Sequence, residues 1–398
     1  MAKRVRTKKR RNASVGGAAD ALPALSSLTE LPEFGELAAS DGQRAAFERF
    51  VAEKSAREGA SHELSLGCVV RLDRGFPAVL TKDAVFRAEF ATRLTKGDYS
   101  RVAIGDWVAV RSPEGHDKGL IECILPRVSD ISRWRGGNRG ECQTLAANVN
   151  TVIIVQALEE WRLSAGRVAR SAVVARDCGA RFAVVLTKAD MVGATVVSEA
   201  VAMLREVLGD KVSVVVMSSL EKDSQQDNIV SAAREAGAFW GVESVRALVP
   251  QGQVGILLGP SGVGKSTLLN ALVGHELLET GSVRASDGAG RHTTVARRMV
   301  AIPGAGVMVD EPGLRTLQLV GHERGLALVF PDIAQAATEC KFRDCTHTHE
   351  PGCMVQQRFG NAGAKQGSAG ESMRLSTYLS LAAEMRASAR TLDPDVVL

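Results

Sequence analysis

Apolar and polar residues follow two different patterns along this chain. Between residues 66 and 124 the apolar runs are short, rich in β-forming residues and separated by Gly, Pro and Asp, which predicts a small β-barrel. From residue 152 onwards the runs are continuous, and a helical pattern follows the first of them. This predicts a mostly parallel sheet of at least five strands wrapped by helices. The short runs span 68–72, 84–88, 107–110 and 120–124, and the continuous runs span 152–155, 182–186, 212–217, 254–258 and 307–309.

Helical patterns occur at both ends of the chain and between the first two continuous strands. One helix is expected to begin near Asp41, one to span Ser164–Asp177 and one to span Ser372–Arg390. The first forty or so residues give little reason to expect a core, and 127–139 reads as a basic, glycine-containing link. OB and SH3-like barrels cannot be separated by pattern, and either serves as a nucleic-acid platform or as a docking module. The predicted fold class is α/β.

A glycine-rich loop connects the strand 254–258 to a helical segment, which is the setting that a phosphate-binding P-loop requires. Backbone N–H groups would surround the β-phosphate, Lys265 would reach the β and γ oxygens, and Ser266 would ligate Mg²⁺. A glycine-rich turn of no function is the alternative, and the strand and helix on either side count against it. The predicted nucleotide-binding residues are Gly259, Pro260, Ser261, Gly262, Val263, Gly264, Lys265, Ser266 and Thr267.

Two further segments predict the surroundings of the metal ion and the γ-phosphate. The strand 307–309 ends at Asp310, which should hold Mg²⁺ through water, and Gly313 should offer its N–H to the γ-phosphate. Between the P-loop and this strand, Arg291-His292-Thr293-Thr294 lies in a Gly- and Ser-rich segment suited to a mobile switch. Either Thr293 or Thr294 would complete the magnesium shell.

The base specificity is predicted from Thr187-Lys188-Ala189-Asp190, which follows the strand 182–186. The Asp190 carboxylate can accept two hydrogen bonds from guanine that adenine cannot offer, and the stem of Lys188 can lie over the base. Ser218 and Ser219 follow the next strand, where a contact to the guanine carbonyl is expected. An ATPase is disfavoured by Asp190. The first residue of this motif is usually Asn, which contacts the P-loop. Whether Thr187 makes the same contact is not decided by the sequence.

Three of the seven cysteines cluster near the C-terminal end, and the odd total argues against a disulfide framework. Cys340, Cys345, His347 and Cys353 form a compact set of three thiols and one imidazole that can close a tetrahedral shell around one Zn²⁺. A closed shell is structural rather than catalytic. His349 is an alternative to His347 on spacing alone.

Composition limits the class of protein and its partners. Apolar residues make up 45% of the chain and aromatic residues 4%, which suits a core of aliphatic side chains in a parallel sheet. No apolar stretch approaches the roughly 20 residues that span a bilayer, and no signal-peptide pattern follows the first charges, so we expect a cytoplasmic protein without a membrane partner. Seven basic residues within positions 3–11 would attract a phosphate backbone, or form a solvated tail.

The order of these motifs is a circular permutation of the usual GTPase order. Guanine motif, serine pair, P-loop, switch and Asp-x-x-Gly, with a β-barrel before them and a Cys/His cluster after, resemble the small ribosomal subunit biogenesis GTPase family, RsgA. The resemblance covers about residues 65–390. It implies a GTP hydrolase that binds GTP and GDP, the small ribosomal subunit and its rRNA, that is stimulated by the subunit and acts late in its maturation. It also favours His347 as the fourth zinc ligand.

With this resemblance, four units are expected. Residues 1–62 form a basic, largely disordered extension, 63–130 an OB-like barrel, 131–321 the circularly permuted GTPase domain and 322–398 a helical zinc-binding domain. We expect a monomer. Because the chain after Asp310 leads directly into the last unit, a γ-phosphate-dependent movement could be transmitted to the zinc domain.

The catalytic contact has to differ from that of many GTPases. The residue after Asp-x-x-Gly, where a water-orienting Gln is common, is Leu314. His292 is the candidate, because it lies in the switch, its neutral imidazole could orient water, and the resemblance implies this role for it. A histidine that packs the loop, a partner-supplied group and a monovalent cation are the alternatives. A nucleotide-gated RNA-binding scaffold with negligible turnover is the alternative function.

Overall fold

A computed structural model of the 398-residue chain describes eleven stretches of it. These stretches are residues 30–58, 64–73, 76–95, 102–112, 118–135, 141–159, 164–218, 226–278, 297–310, 319–360 and 372–390. The basic residues 3–11 lie outside them. Within the described stretches, no helix combines the length and the apolar composition that crossing a lipid bilayer requires.

Five strands close into a barrel, as predicted. Strand order is β1-β2-β3-β5-β4, β1 also pairs with β4, and β3 and β5 run parallel. This closed arrangement fits an OB-like barrel. The interior is filled by aliphatic side chains such as Val69, Val79 and Ile121. The strands are β1 (Leu64–Asp73), β2 (Phe76–Thr81), β3 (Val85–Phe90), β4 (Trp107–Arg111) and β5 (Gly119–Ile124), with a short helix α2 (Thr92–Thr95) after β3.

The segment before the barrel packs onto the rest of the molecule through its helix α1 (Asp41–Glu58) and the residues that lead into it. Leu37 and Ala39 are buried, although the composition of the first forty residues gave no sign of a core. The Gln43 amide donates to the Pro126 carbonyl at 3.0 Å and to the Asn148 side chain at 2.9 Å. This contact ties α1 to the connection between the barrel and the main sheet.

A β-hairpin stands where the sequence analysis expected a link. Its strands are β6 (Asp130–Arg135) and β7 (Glu141–Ala147), which pair antiparallel. The prediction of a link was wrong here because basic residues hide the strand pattern of 130–135. Arg127 joins the hairpin to the barrel: its guanidinium contacts Asp106 at 2.7 and 2.9 Å and Asp130 at 2.8 Å.

The predicted parallel sheet forms in the middle of the chain. Six strands run parallel, and a seventh, β13, pairs antiparallel at the edge. The sheet order is β11-β10-β9-β8-β12-β14-β13, and β13 also pairs with β1, which makes the barrel and the main sheet continuous. The strands are β8 (Thr151–Ala157), β9 (Arg181–Thr187), β10 (Val214–Val216), β11 (Phe239–Trp240), β12 (Val254–Leu258), β13 (Arg297–Ala301) and β14 (Val307–Asp310).

Helices cover both faces of the sheet. Alternate side chains of each strand point to opposite faces, and both faces are apolar, so each has to be buried. Along β8, Ile153 and Val155 pack in one core cluster and Val152 and Ile154 in the other. The covering helices are α3 (Ala165–Asp177), α4 (Ala194–Leu208), α5 (Gln226–Glu235), α6 (Val242–Arg246) and α7 (Lys265–Val273). Ser164 caps α3 by accepting a hydrogen bond from the Arg167 N–H.

The regular elements that the structure describes after residue 319 are all helices. Their helices are α8 (Glu323–Val329), α9 (Pro331–Thr338), α10 (Met354–Phe359) and α11 (Met373–Arg390). Asp177, at the end of α3, fixes α8 by accepting a hydrogen bond from the Gly325 N–H and contacting His322 Nδ1, both at 2.8 Å. Phe330, Leu375 and Tyr378 belong to the core cluster that α3 and α4 share. The helical end therefore packs on one face of the main sheet.

Candidate nucleotide site and metal cluster

The predicted P-loop lies between β12 and α7, at the carboxyl end of the central parallel strands. Gly259 is required by space, since a Cβ there would lie 2.4 Å from the Val155 carbonyl oxygen. Gly264, with φ of 92°, is the N-cap of α7 in a conformation that favours glycine. The first turn of α7 carries no acidic residue, so its N–H groups offer an anion site.

The Lys265 side chain folds back onto the start of this loop. Its ammonium donates hydrogen bonds to the carbonyls of Gly259 at 2.7 Å and Pro260 at 2.8 Å. The charge is thus held against the first two residues of the P-loop. A phosphate in the loop would meet both the N–H groups and this ammonium.

The first residue of the predicted guanine motif bridges to the P-loop. Thr187 is buried at the end of β9, and its hydroxyl lies 2.6 Å from the Val263 carbonyl oxygen and 3.3 Å from that of Gln156. The hydroxyl has one proton, and the shorter distance assigns it to Val263. Thr in place of the usual Asn therefore still joins the two loops.

The remaining residues of the motif lie around the same opening. Lys188 has φ of 58°, which turns the chain sharply after β9, and its ammonium lies 3.4 Å from Glu159. Asp190 sits in a single 3-10 turn, Ala189–Met191, and accepts a hydrogen bond from the Ser218 hydroxyl at 2.6 Å. The serine that follows β10 and the carboxylate that follows β9 are thus brought into contact.

Asp310 ends β14, next to the P-loop strand β12. Its carboxylate is largely buried and pairs with Arg298 of β13, with Nε and Oδ2 3.7 Å apart. Burial raises the pKa of Asp310, and the guanidinium of Arg298 opposes that rise. Sequence reasoning missed Arg298, and its position opposite Asp310 follows only from the pairing of β13 with β14.

The four predicted zinc ligands come together in one cluster. All ligand atoms of Cys340, Cys345, His347 and Cys353 lie within 4.8 Å of one another. The Cys340 and Cys353 sulfurs are 3.9 Å apart, and each lies 3.6 Å from His347 Nδ1. With Zn–S bonds of about 2.3 Å and Zn–N bonds of about 2.0 Å, a tetrahedron has S–S edges of roughly 3.8 Å and S–N edges of roughly 3.5 Å. These separations fit a zinc ion.

His347, and not His349, belongs to the cluster. His347 has a φ of 61°, and its buried ring lies against Cys340 and Cys353, whereas His349 is exposed and its ring contacts the Thr348 hydroxyl at 2.9 Å. Burial lowers the pKa of His347, which keeps its imidazole neutral. Neutral imidazole is the form that binds a metal ion.

Glu350 shapes the ligand loop and was missed by sequence reasoning. Its carboxylate accepts hydrogen bonds from the Thr346 N–H at 2.8 Å, the Thr348 N–H at 3.1 Å and the His349 N–H at 3.2 Å. These bonds, with the Thr346 hydroxyl, hold the pKa of Glu350 well below its usual range. A carboxylate a few residues after a histidine is a weak signal, and only the closed loop reveals its role.

Some predicted residues fall outside the part of the chain that the structure describes. Ser219, His292, Thr293, Thr294 and Gly313 lie outside the described residues, as does Leu314. The remaining predicted residues are described and fall into two groups. Those of the nucleotide motifs surround the carboxyl end of the main sheet, and the four zinc ligands lie beyond α9.

Comparison with known proteins identifies the family. The sequence profile described as RsgA GTPase matches residues 124–320. The small ribosomal subunit biogenesis GTPase RsgA of Streptomyces avermitilis is 40% identical over 296 residues, which cover 74% of each chain. That of Methanosarcina acetivorans is 34% identical over 279 residues, 70% of each chain. The chain belongs to the RsgA family of small ribosomal subunit biogenesis GTPases.

Solved structures agree on the fold. YjeQ from Thermotoga maritima superposes with a TM-score of 0.56 over 81% of this chain and 99% of its own, at 21% identity. YloQ, a circularly permuted GTPase, gives 0.54 over 83% and 98%, also at 21% identity. The predicted permuted P-loop fold with an OB-like barrel is thereby confirmed. As an RsgA-family member the protein is a GTP hydrolase with a role in ribosome biogenesis, and the scaffold without turnover is not favoured.

Proposed function

We propose that this protein binds the small ribosomal subunit and its rRNA and hydrolyses GTP to GDP and phosphate during late maturation of that subunit. Binding to the subunit would stimulate the hydrolysis. One observation carries the proposal. In a chain of the RsgA family, the Thr187 hydroxyl joins the guanine motif to the P-loop at 2.6 Å, so base and phosphate recognition share one opening. A cytoplasmic monomer would suit this role.

The nucleotide would be held by the two loops that meet at Thr187. Asp190 would accept hydrogen bonds from the ring N–H and the exocyclic amine of guanine, and Lys188 would lie over the base. Ser218, with Ser219, would contact the guanine carbonyl. The residues 259–267 would bind the phosphates, with Lys265 at the β and γ oxygens. The contact of Ser218 with Asp190 supports this arrangement, because it aims the carboxylate before the base arrives.

Magnesium would be held by oxygen ligands on neighbouring elements. The Ser266 hydroxyl lies in the first turn of α7, and Asp310 ends the strand beside β12. A hydroxyl and a carboxylate are ligand types that Mg²⁺ prefers. Thr293 or Thr294 would add a further oxygen, and Gly313 would donate its N–H to the γ-phosphate. Bound Mg²⁺ would neutralise charge that develops on the phosphates.

His292 would orient the water that attacks the γ-phosphate, because Leu314 cannot. We expect His292→Ala to lower turnover by about 10²-fold, the usual worth of a positioned general base or water-orienting group. GDP affinity should stay within about twofold, since no ground-state contact is removed. Single-turnover hydrolysis and GDP titration would measure the two quantities, with His349→Ala as the matched control. Loss of GDP affinity would instead point to a histidine that packs the loop.

One structural Zn²⁺ would be bound by Cys340, Cys345, His347 and Cys353. The sulfur and nitrogen separations fit a tetrahedral shell with no position left for a substrate. Exposed Lys341 and Arg343 stand in the same segment and would face RNA. Arg358 is engaged in an ion pair with Glu339, which makes it a weaker candidate for an RNA contact.

The decisive experiment measures GTP hydrolysis with and without purified small ribosomal subunits. We expect the subunits to raise turnover by at least about tenfold, because a partner completes many GTPase sites. Purified large subunits are the control and should have no effect. If small subunits do not raise the rate, or if large subunits raise it equally, the proposed partner is contradicted. The GTPase activity itself would not be affected by either result.

A further inference from the structure

Arg298 lies between two carboxylates from distant parts of the chain. On one side, its Nε is 3.7 Å from Asp310 at the end of β14. On the other, its Nη1 is 3.4 Å from Glu30, which precedes helix α1. The three side chains are only 15%, 16% and 20% exposed for Arg298, Asp310 and Glu30, so solvent screens their charges weakly.

Glu30 is held in this position by its backbone and by its second carboxylate oxygen. The Glu30 carbonyl accepts a hydrogen bond from the Ala301 N–H at 3.1 Å, which attaches the segment to the end of β13. Its Oε1 lies 3.0 Å from Nε2 of His275, just after the P-loop helix α7. Glu30 thus contacts strand β13 and the residues just after the P-loop helix α7.

We propose that Glu30 and Arg298 are positioning residues for magnesium at Asp310, with Glu30 drawing the guanidinium charge away from the metal-binding carboxylate. This rests on the proposed role of Asp310. A guanidinium shared by two carboxylates competes with a cation at either one. When Mg²⁺ is at Asp310, Arg298 is repelled by the dication and keeps a partner in Glu30.

Without Glu30, Arg298 would pair with Asp310 alone, and Mg²⁺ would bind there less tightly. Neutralising Glu30 leaves the whole guanidinium charge to Asp310, so Mg²⁺ has to displace a stronger ion pair. Neutralising Arg298 removes the competitor, and Glu30 then acts on the metal ion only through direct attraction across the space of the guanidinium, which is weaker than its effect through Arg298. The effect of Glu30 therefore depends mainly on Arg298, and this dependence separates an electrostatic role from a structural one.

The test is a double-mutant cycle with Glu30→Gln and Arg298→Gln. The measured quantity is the free Mg²⁺ concentration that halves the dissociation rate of a fluorescent GDP analogue. We expect Glu30→Gln to raise it by about 3- to 10-fold, as for partly buried ion pairs, and Arg298→Gln to lower it by a similar factor. In the Arg298→Gln background, Glu30→Gln should change it by less than about twofold.

Controls separate the possible failures. Glu48→Gln, an exposed charge change on α1, should match the unchanged protein. GDP affinity in EDTA should be the same for all variants; a loss there with Glu30→Gln would assign Glu30 a structural role and overturn the proposal. No effect of Glu30→Gln, or an equal effect without Arg298, would also overturn it. If Asp310→Asn left the Mg²⁺ dependence intact, the proposed magnesium role of Asp310 would fail as well.

Discussion

The nucleotide site and the metal cluster are built in opposite ways. The nucleotide site collects side chains from four segments between residues 187 and 310, and each segment follows a strand of one buried sheet. The metal cluster takes all its ligands from the single segment 340–353, between the short helices α9 and α10. The sheet can hold the first site without its ligand. The second site rests on one loop and its Cys and His side chains, without a strand of the sheet behind it.

The physical reason lies in what surrounds each site. The strands behind the nucleotide loops are lined by fully buried aliphatic side chains, such as Ile154, Val184 and Ile256. The cluster instead crowds three thiols around an imidazole. Burial, with the neighbouring thiols, raises the pKa of Cys345, so without a metal ion this thiol keeps its proton. A bound metal ion would take the place of that proton and hold the thiolates together by coordination.

The largest expected effect is the loss of zinc from Cys345→Ser. Serine is a poor zinc ligand, so bound zinc should fall from about one ion per chain to nearly none. Element analysis of the purified protein measures this, and circular dichroism should show early melting of the helical end. Cys178→Ser, outside the cluster, is the control and should keep its zinc. Full zinc content in Cys345→Ser would contradict the four-ligand site.

Asp190→Asn should have the next largest effect and should spare the sheet. It removes an acceptor of two charge-assisted hydrogen bonds, which corresponds to about 10²- to 10⁴-fold in GDP affinity. The amide can donate to the extra carbonyl of xanthine, so XDP should bind better than GDP. Nucleotide competition measures the preference, with exposed Asp210→Asn as the control. An unchanged preference would place the guanine contact elsewhere.

Thr187→Val tests the bridge between the two loops. The change leaves the Val263 carbonyl without its donor, at a cost of about 1–2 kcal/mol, or about 5- to 30-fold in GDP affinity. Thr151→Val is the matched control, because its hydroxyl donates to Leu248 at the other end of β8, away from the loops. If both variants lose the same affinity, the bridge has no special role and only general stability has changed.

The smallest effect concerns the connection between the two regions. If the switch after Asp310 acts on the helical end, hydrogen exchange near Asp310 and across 340–353 should differ by about twofold or more between GDP and a GTP analogue. Strand β2 of the barrel serves as the reference segment. Identical exchange in both nucleotide states would show that the two regions work independently.

Sequence patterns located most of the main sheet and missed the edge elements. The runs at 152–155, 182–186 and 254–258 are buried on both sides, so their apolar pattern is continuous and easy to recognise. Strand β13 begins with Arg297-Arg298 and lies between the barrel and the sheet, where charged side chains find partners. Strand β2 was missed because Pro77 stands in its pattern, and the strand tolerates this proline because it lies near the start of β2, before the pairing with β3 begins at Ala78. The domain boundaries and the roles of individual residues stay predictions.

The sequence by itself determined the motifs whose chemistry is local. A P-loop needs only neighbouring residues between a strand and a helix, and a Cys₃His set needs only ligands close in the chain. Tertiary structure decided the contacts between residues that are far apart along the chain. It placed the Thr187 hydroxyl against Val263, chose His347 over His349, and set Arg298 between Glu30 and Asp310. Spacing along a chain limits which residues can meet, but only packing and strand register fix which of them do.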